Sequence, residues 1–318
     1  MEAAATPLVT VITPSLNRAS LIGRTLRSVR SQTHRATEHI VVDGGSSDGT
    51  TAILRQLEGS YDLRWISEPD GGMYEAVNKG LALASGEIVG YLNTDDLYFP
   101  WTVRAVVDAF GRHPDADLVF GDVLSVDDRT RAQRIHWQYP FDLDYIRRSG
   151  FLAQPAVFWR RGVVEAAGGF DQALRYVADC DLWMRLGEKR RFHKIDEVLA
   201  IERDHPGTLR AAQASSLEAE LSVVRQRYVT LGGAGHRLRQ ARHRLRLAAL
   251  RRRYWLRFAL AAWGSRAAGQ RAWGQFLGVP GLRVSAPMML AHQIPFVGPS
   301  LEDRVLHGTP YLPEWLSA

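Results

Sequence analysis

The sequence predicts an α/β fold with a mostly parallel sheet, and three observations support this prediction. Short apolar runs rich in β-branched residues alternate with segments of helical periodicity over the first hundred residues. The composition, 46% hydrophobic and 23% charged, is that of a folded chain with a large core. Polar and glycine-rich clusters follow the apolar runs, as loops follow the strands of a buried sheet.

The alternation can be followed from the N-terminus. Four apolar runs predict strands at 8–13, 38–43, 63–67 and 86–92. Segments with helical spacing predict the helices between and around them, at 19–32, 50–57 and 73–84. Asn17 is the expected N-cap of the first helix. Strands alternating with helices of about ten residues are typical of βαβ units, so the sheet is expected to be parallel.

Polar residues follow each of the four predicted strands. They occupy residues 13–18, 43–48, 68–72 and 95–96. Any one of these clusters is an ordinary turn. The carboxyl ends of parallel strands meet at one edge of the sheet, where ligands bind, so the coincidence of four favours a binding site there.

Asp95 and Asp96 directly follow the fourth strand. Two adjacent carboxylates repel each other unless a cation lies between them. Mg²⁺ or Mn²⁺ commonly takes one or two protein carboxylates and completes its shell with phosphates and water, so the pair indicates a diphosphate ligand. The alternative is that both residues cap a helix that Pro100 helps to start. Neither a GxxxxGK[ST] loop nor a GxGxxG after the first strand is present, which disfavours phosphate-loop NTPases and dinucleotide enzymes.

Six segments in order resemble the family 2 glycosyltransferases of the GT-A fold, over about residues 7–210. They are TPSLNR (13–18), VDGGSSDGT (42–50), SEPDGGMYEAVNKG (67–80), ASGEIVGYLNTDD (84–96), GGFD (168–171) and ADCDLWMRL (178–186). The third segment is most similar to the bacterial enzymes that build exopolysaccharide and lipopolysaccharide. The resemblance implies transfer of a sugar from a nucleotide-diphosphate donor to a hydroxyl, with inversion and with Mg²⁺ or Mn²⁺ as cofactor.

The resemblance also implies a donor site. Thr13, Pro14 and Ser15 would line the nucleoside pocket, and Asp70 would contact the donor. Asp43 would accept a hydrogen bond from the base, which favours a UDP-sugar. Gly44 departs from the commoner Asp-Asp-Gly-Ser form and removes one carboxylate from that loop.

Further residues are assigned to the metal and the donor sugar in the same way. Asp96 would ligate the ion, because Asn93 stands where many relatives have another acid. Asp95 would face the ribose or the donor sugar, and Gln154 the donor sugar. His205 would approach the metal or the diphosphate, although a lone histidine can equally be structural.

Asp179 is the candidate catalytic base. An inverting transferase needs one carboxylate to take the proton of the attacking hydroxyl. Asp179 aligns with the base of the family's ED-x-D-L pattern, with Ala178 in place of the usual glutamate. Asp181 is the alternative base, and Asp179 could instead cap the following helix. Phe158 and Trp159 are expected to pack beneath the site.

Charge divides the chain near residue 231. Residues 1–231 hold 27 Lys and Arg against 31 Asp and Glu, whereas residues 232–318 hold 13 against 3. We therefore predict a catalytic domain over 1–231 and a basic helical extension over 232–318. Within the extension, residues 236–263 predict an amphipathic cationic helix suited to an anionic membrane surface. The alternatives are packing on the catalytic domain or on a second copy, as in a homodimer. Nucleic acid is not an expected partner.

The remaining features concern location and class. The single cysteine, Cys180, forms no intrachain disulfide, and no segment approaches the roughly 18 uncharged apolar residues of a spanning helix. The N-terminal residues have no basic leader, so the expected location is cytoplasmic and peripheral at the inner membrane face. The predicted function is glycosyl transfer to a saccharide or lipid-linked saccharide in bacterial surface-polysaccharide synthesis. The alternative is an inactive nucleotide-sugar-binding protein. A sugar nucleotidyltransferase would need an N-terminal glycine-rich loop that TPSLNR does not supply.

Overall fold

A computed structural model describes most of the predicted catalytic domain. The described residues are 6–126, 132–136, 138, 140–148, 152–205, 207–208 and 212–228. The predicted boundary at residue 231, the basic extension 232–318 and its helix 236–263 lie outside these residues, so they stay predictions.

The strands of the described residues form one mixed sheet. They are β1 (Val9–Ser15), β2 (Thr37–Asp43), β3 (Leu63–Ser67), β4 (Ile88–Tyr91), β5 (Leu97–Tyr98), β6 (Leu118–Val126), β7 (Ala132–His136), β8 (Val157–Arg160) and β9 (Phe192–Arg203). The strand order is β3-β2-β1-β4-β8-β6-β9-β5, and β7 pairs with β6.

The helices cover both faces of this sheet. They are α1 (Ala19–Arg30), α2 (Thr50–Leu57), α3 (Met73–Leu83), α4 (Thr102–Arg112), α5 (Leu143–Arg148), α6 (Ala178–Leu186) and α7 (Ala214–Tyr228), with 3₁₀ turns at Gln154–Ala156 and Glu165–Ala167. Within the described ranges, none of these helices combines the length and the apolar composition that crossing a bilayer requires.

The first half of the sheet confirms the predicted alternation. β1 to β4 and the three intervening helices begin and end within about two residues of the predicted bounds. β3, β2, β1 and β4 are neighbours and all run parallel. The second half is mixed, because β8 pairs antiparallel with both β4 and β6 while β6 and β9 run parallel.

The core lies on both faces of the sheet because consecutive strand residues point in opposite directions. Val11 packs with α4 on one face, while Ile12 packs with α3 and α6 on the other. Phe158 and Trp159 divide between the two faces in the same way, and both are fully buried. The prediction that these two aromatic residues pack in the core is confirmed.

The predicted N-cap of α1 is wrong. The cap position is Arg18, and no side chain caps the helix from there. Asp48 Oδ2 instead accepts the Ala19 N–H at 2.9 Å, and Thr50 Oγ1 accepts the Arg18 N–H at 2.9 Å. Asn17 has a φ of 52°, and its Oδ1 accepts the Ser47 N–H at 2.9 Å. The loop after β2 thus supplies the acceptors for α1 from across the sheet edge.

Candidate active site

The carboxyl ends of β1 to β4 form one edge of the sheet, which we call the carboxyl edge. Asp43 ends β2 there and is fully buried. Its Oδ2 accepts the Ser46 N–H at 2.8 Å and the Ser67 hydroxyl at 2.7 Å, and its Oδ1 accepts the Ser46 hydroxyl. These three donors fix the orientation of the carboxylate.

The three residues predicted for the nucleoside pocket differ in their surroundings. Thr13 is fully buried, and its hydroxyl lies 2.8 Å from His39 Nε2. Burial lowers the pKa of His39 to about 3, so the imidazole that contacts Thr13 is neutral. Pro14 is also buried. Ser15 Oγ is buried and has no hydrogen-bond partner in the described part of the chain. Of the three side chains, Ser15 therefore has the free hydroxyl.

Asp70 faces the loop that contains Gly44. A Cβ placed on Gly44 would lie 2.9 Å from Asp70 Oδ2, so the glycine leaves the space that this carboxylate occupies. Asp70 Oδ1 accepts the Gly72 N–H at 2.9 Å. Burial is the largest cause that raises the pKa of Asp70, and the nearby charge of Asp43 adds to it. Position 44 lacks the carboxylate of the commoner motif, but the carboxylate of Asp70, on the loop after β3, lies close to that position.

Asp95 and Asp96 lie between β4 and β5. The alternative that they cap a helix is wrong, because α4 begins at Thr102, well beyond both residues. Asp95 Oδ2 lies 3.3 Å from Nε2 of His205, which follows β9. Asp96 is 5% exposed, and its carbonyl oxygen accepts the Thr25 hydroxyl at 2.9 Å. The fold therefore brings His205 to the acidic pair across 110 residues of sequence.

The donor set around Asp95 suits a divalent ion that shares its shell with a diphosphate. In the ranges that the structure describes, no group of three or more His, Cys, Asp or Glu side chains is arranged to hold a metal. The contact between Asp95 and His205, with Asp96 adjacent in sequence, supplies carboxylate and imidazole donors. Mg²⁺ commonly takes only one or two protein carboxylates and completes its shell with phosphate and water. These residues therefore fit such an ion when phosphate oxygens are also present.

Gln154 joins the end of β4 to the 3₁₀ turn before β8. Its Nε2 donates to the Tyr91 carbonyl at 2.6 Å, and its Oε1 accepts from Asn93 Nδ2 at 3.3 Å. Both ends of the amide thus have protein partners. Asn93 Oδ1 is buried without a partner among the described residues. The predicted contact of Gln154 with the donor sugar stays a prediction, and Asn93 is the neighbour with an unused acceptor.

Asp179 lies in the first turn of α6 and is 7% exposed. The N-cap residue is Val177, so the alternative that Asp179 caps the helix is wrong. The Tyr74 hydroxyl donates to Asp179 Oδ1 at 3.3 Å. Burial first, and the charge of Asp179 second, raise the pKa of Tyr74 well above its usual range. Tyr74 therefore stays protonated beside this carboxylate.

Asp181 has a different environment. It is 2% exposed and accepts from Arg185 Nε at 2.7 Å, the Tyr228 hydroxyl at 2.8 Å and an Arg227 guanidinium nitrogen at 3.4 Å. Burial, followed by the hydrogen bond to Asp181, raises the pKa of Tyr228 to about 12. Asp181 is thus occupied by three protein partners, as a structural carboxylate would be, and the assignment of Asp179 as the base stays a prediction.

Two residues with contacts near this site were not singled out from the sequence, although both lie in the segment SEPDGGMYEAVNKG. Tyr74 has the same spacing on α3 as the core residues Val77 and Leu81, so the pattern predicts only burial. Asn78 lies on the same helix, and its amide accepts the Phe170 N–H at 2.9 Å and donates to the Phe170 carbonyl at 2.8 Å. Asn78 thereby holds the GGFD turn that precedes α6.

Comparison with known proteins identifies the family. Residues 10–173 match the family described as Glycosyl transferase family 2. A PGL/p-HBAD biosynthesis glycosyltransferase of Mycobacterium bovis (strain BCG / Pasteur 1173P2) is 34% identical over 184 residues, which cover 57% of this chain and 70% of that protein. A glycosyltransferase of Mycobacterium tuberculosis (strain ATCC 25618 / H37Rv) is 36% identical over 183 residues, covering 56% of this chain and 68% of that protein.

Two solved structures share the fold. Residues 1–349 of S. aureus TarS in complex with UDP-GlcNAc superpose with a TM-score of 0.56 at 18% identity, covering 72% of this chain and 69% of that chain. The mannosyltransferase PcManGT from Pyrobaculum calidifontis, in complex with GDP-Man and Mn²⁺, superposes with a TM-score of 0.56 at 22% identity, covering 71% of this chain and 66% of that chain. The chain therefore belongs to glycosyltransferase family 2 and has the GT-A fold.

Proposed function

We propose that this glycosyltransferase moves a sugar from a nucleotide-diphosphate donor, preferably a UDP-sugar, to a hydroxyl of a saccharide or lipid-linked saccharide, with inversion. The observation that carries the proposal is the packing at the carboxyl end of β4. Tyr91, which ends β4, and Tyr74, which donates to Asp179, both pack against Phe170, with ring centroids 5.4 Å and 5.7 Å from it. Asp95 and Asp96 follow the same strand, so the candidate base and the candidate metal ligand are near the same end of the sheet, as a single reaction centre requires.

Asp179 and the aromatic residues around it have separate roles in the proposed reaction. Asp179 accepts the proton of the acceptor hydroxyl as that oxygen attacks the anomeric carbon, and a general base of this kind contributes roughly 10²–10⁴-fold to the rate. Tyr74 stays protonated and keeps one carboxylate oxygen of Asp179 oriented. Burial of Tyr74, Tyr91 and Phe170 around the carboxylate keeps bulk water away from it.

Mn²⁺ or Mg²⁺ is the proposed cofactor. Asp96 would hold it, with His205 and Asp95 at its side. When bound, such an ion supplies positive charge that stabilises the departing diphosphate. The complex of PcManGT with GDP-Man and Mn²⁺ supports this assignment at the level of the fold.

The donor and acceptor classes follow from the site and the relatives. Asp43 and the free hydroxyl of Ser15 are the proposed contacts for the nucleoside. TarS is bound to UDP-GlcNAc and PcManGT to GDP-Man, so nucleotide sugars are the donor class to test first. The relative from Mycobacterium bovis is named a PGL/p-HBAD biosynthesis glycosyltransferase, and a saccharide or lipid-linked saccharide is the acceptor class that we propose to test. A role at an anionic membrane surface stays a proposal for the basic extension.

The test is a panel of UDP-, GDP-, dTDP- and CMP-sugars with and without Mn²⁺. Binding is followed by thermal shift. Transfer to alkyl glycosides is followed by release of the nucleoside diphosphate, or of CMP from a CMP-sugar, and by the anomeric configuration of the product. We expect metal-dependent stabilisation by a UDP-sugar and an inverted product. Asp96→Asn should remove the Mn²⁺-dependent part of the stabilisation, whereas Asp108→Asn, on the exposed face of α4, should not.

Two results would count against the proposal. The first is binding of a nucleotide sugar with no transfer of the sugar to any acceptor or to water, and therefore no release of nucleoside diphosphate. This result supports the alternative of a binding protein without turnover. A product that retains the donor configuration excludes the single-carboxylate mechanism.

A further inference from the structure

The carboxylate of Glu220 on α7 binds three successive backbone N–H groups. Its Oε1 accepts from Arg175 at 2.8 Å, and its Oε2 accepts from Tyr176 at 2.6 Å and Val177 at 3.0 Å. Successive N–H groups that point to one side form a concave anion site, and charge-assisted hydrogen bonds of this kind are the strong ones. Here the anion is a side chain that lies more than 40 residues away in the sequence.

This contact lies directly before the residue that carries the chemistry. Val177 is the N-cap residue of α6, it makes no side-chain cap of its own, and Asp179 follows two residues later. The N–H of an N-cap residue, here Val177, is the donor that the glutamate of a capping box accepts, and a negative charge near a helix start is favoured by the helix dipole. Glu220 supplies this acceptor from another helix, and it also binds the two N–H groups that precede Val177.

One face of α7 holds Glu220 against the segment that precedes α6. Glu220, Val224 and Arg227 recur at a spacing of four and three, which places them on one face of the helix. Val224 is fully buried in the core that surrounds α6. Arg227 and Tyr228 bind Asp181, the next acidic residue of α6. α7 thus holds α6 both before Asp179 and after it.

We propose that Glu220 is a positioning residue for glycosyl transfer, which fixes the backbone from which Asp179 projects toward the acceptor hydroxyl. The inference rests on the proposed role of Asp179 as the base. A displacement of about 1 Å at a reacting group can cost about 10²-fold in rate. The match to the family ends at residue 173, so both the anchored segment and Glu220 lie beyond it.

The test compares Glu220→Gln with Glu218→Gln in the full chain. Glu218 lies on the same helix, but its carboxylate is 68% exposed and pairs with Arg225 at 3.5 Å. The glutamine at 220 turns an NH₂ toward N–H donors, so we expect amide exchange at 175–177 to rise at least about tenfold. We also expect kcat to fall about 10- to 100-fold, with the donor KM and the UDP affinity within about twofold of the parent. Glu218→Gln should change none of these values.

The outcomes separate this inference from the proposed function. Unchanged exchange at 175–177, or an unchanged kcat per folded molecule with only a lower Tm, overturns the positioning role. Should Glu220→Gln fail to fold, Glu220→Asp keeps the charge but is one methylene too short to reach all three donors, and the same readouts apply to it. If Asp179→Asn retains turnover, the base assignment fails, whether or not Glu220 controls amide exchange.

Discussion

The loop after β2 and the first turn of α6 both present carboxylates to the site, but they are held in different ways. In the loop, Ser46 binds Asp43 three residues away, and Thr50 binds Asp48 two residues away. On α6, Asp179 is bound by Tyr74 from 105 residues away. The loop after β2 therefore combines local donors with distant ones, such as the Ser67 hydroxyl on Asp43 and the Ala19 N–H on Asp48, whereas the partner of Asp179 lies on another helix far away in the sequence.

A second difference lies within α6 itself. Asp181 is bound by two arginines and a tyrosine, while the hydrogen bond from the Tyr74 side chain to Asp179 comes from a neutral phenol. Cationic partners hold a carboxylate in a fixed position. We therefore expect a structural role for Asp181, and Asp179 stays the candidate base.

The largest expected effect comes from removing the carboxylates of Asp179 and Asp181 one at a time. Asp179→Asn should lower kcat by about 10³-fold, the size of a lost general base, with little change in Tm. Asp181→Asn leaves two guanidinium groups without their carboxylate, and we expect it to lower the free energy of unfolding by about 2–3 kcal/mol while the folded fraction keeps its kcat. Urea unfolding and steady-state kinetics measure both variants.

The reverse pattern, with stability lost in Asp179→Asn and activity lost in Asp181→Asn, would contradict the assignment. UDP affinity serves as the control for both variants, since neither residue is placed at the nucleoside, and it should stay within about threefold of the parent.

The next effect concerns His39 on β2. Burial holds its pKa near 3, whereas an unfolded histidine titrates near 6.5, so below pH 6.5 the unfolded state binds a proton that the folded state does not. The free energy of unfolding should therefore fall as the pH falls, by about 2 kcal/mol from this residue between pH 7 and pH 5. Urea titrations of His39→Gln at pH 7 and at pH 5 should lack that part of the pH dependence of the free energy of unfolding. An unchanged pH dependence in the variant would show that His39 is not neutral in the folded chain.

A smaller effect is expected at the contact between Gly44 and Asp70. Gly44→Ala places a methyl group 2.9 Å from Asp70 Oδ2 and should displace that carboxylate. We expect UDP affinity to weaken about tenfold, or about 1.4 kcal/mol, measured by calorimetry. Gly111→Ala is the control, because its added Cβ would meet nothing within 4 Å. Equal affinities for the two variants would remove Asp70 from the donor site.

The smallest effect tests the hydroxyl of Tyr74. In Tyr74→Phe the ring can keep its stacking on Phe170, with centroids 5.7 Å apart, so only the hydrogen bond to Asp179 is lost. We expect kcat to fall about 3- to 10-fold, the value of one modest hydrogen bond. Tyr98→Phe is matched to it, because the Tyr98 hydroxyl is buried without a partner among the described residues. Loss of activity in Tyr98→Phe but not in Tyr74→Phe would refute the role of Tyr74.

The fold was predictable where periodicity and local order agree. Strands β1 to β4 alternate with helices α1 to α3, and their apolar runs are long enough to identify. The antiparallel β8 could not be placed, because its neighbours β4 and β6 are distant in sequence and no periodicity encodes which strand it joins. The prediction that Asn17 caps α1 was wrong for a related reason, because the acceptor for the Ala19 N–H is Asp48, which lies on another loop.

The site was predictable only through the resemblance to known enzymes. That resemblance assigned His205 to the metal or the diphosphate and Asp95 to the ribose or the donor sugar; in the structure His205 Nε2 lies 3.3 Å from Asp95 Oδ2, and the assigned roles stay predictions. Tyr74 and Glu220 were not predictable, because one has the spacing of a core residue and the other lies on a helix past the matched segments. Partners that act through tertiary contacts leave no local pattern.

The position of Cys180 gives the chain a built-in reporter. It is the one thiol in 318 residues, it is 5% exposed, and it neighbours Asp179 in the first turn of α6. Burial is the largest cause that raises the pKa of this thiol well above its usual range, and the charge of Asp179 adds to it. Because the thiolate is the reactive form, the thiol should react slowly with an aromatic disulfide reagent while α6 is folded. The rate of thiol labelling therefore measures how often this turn opens, without an engineered cysteine.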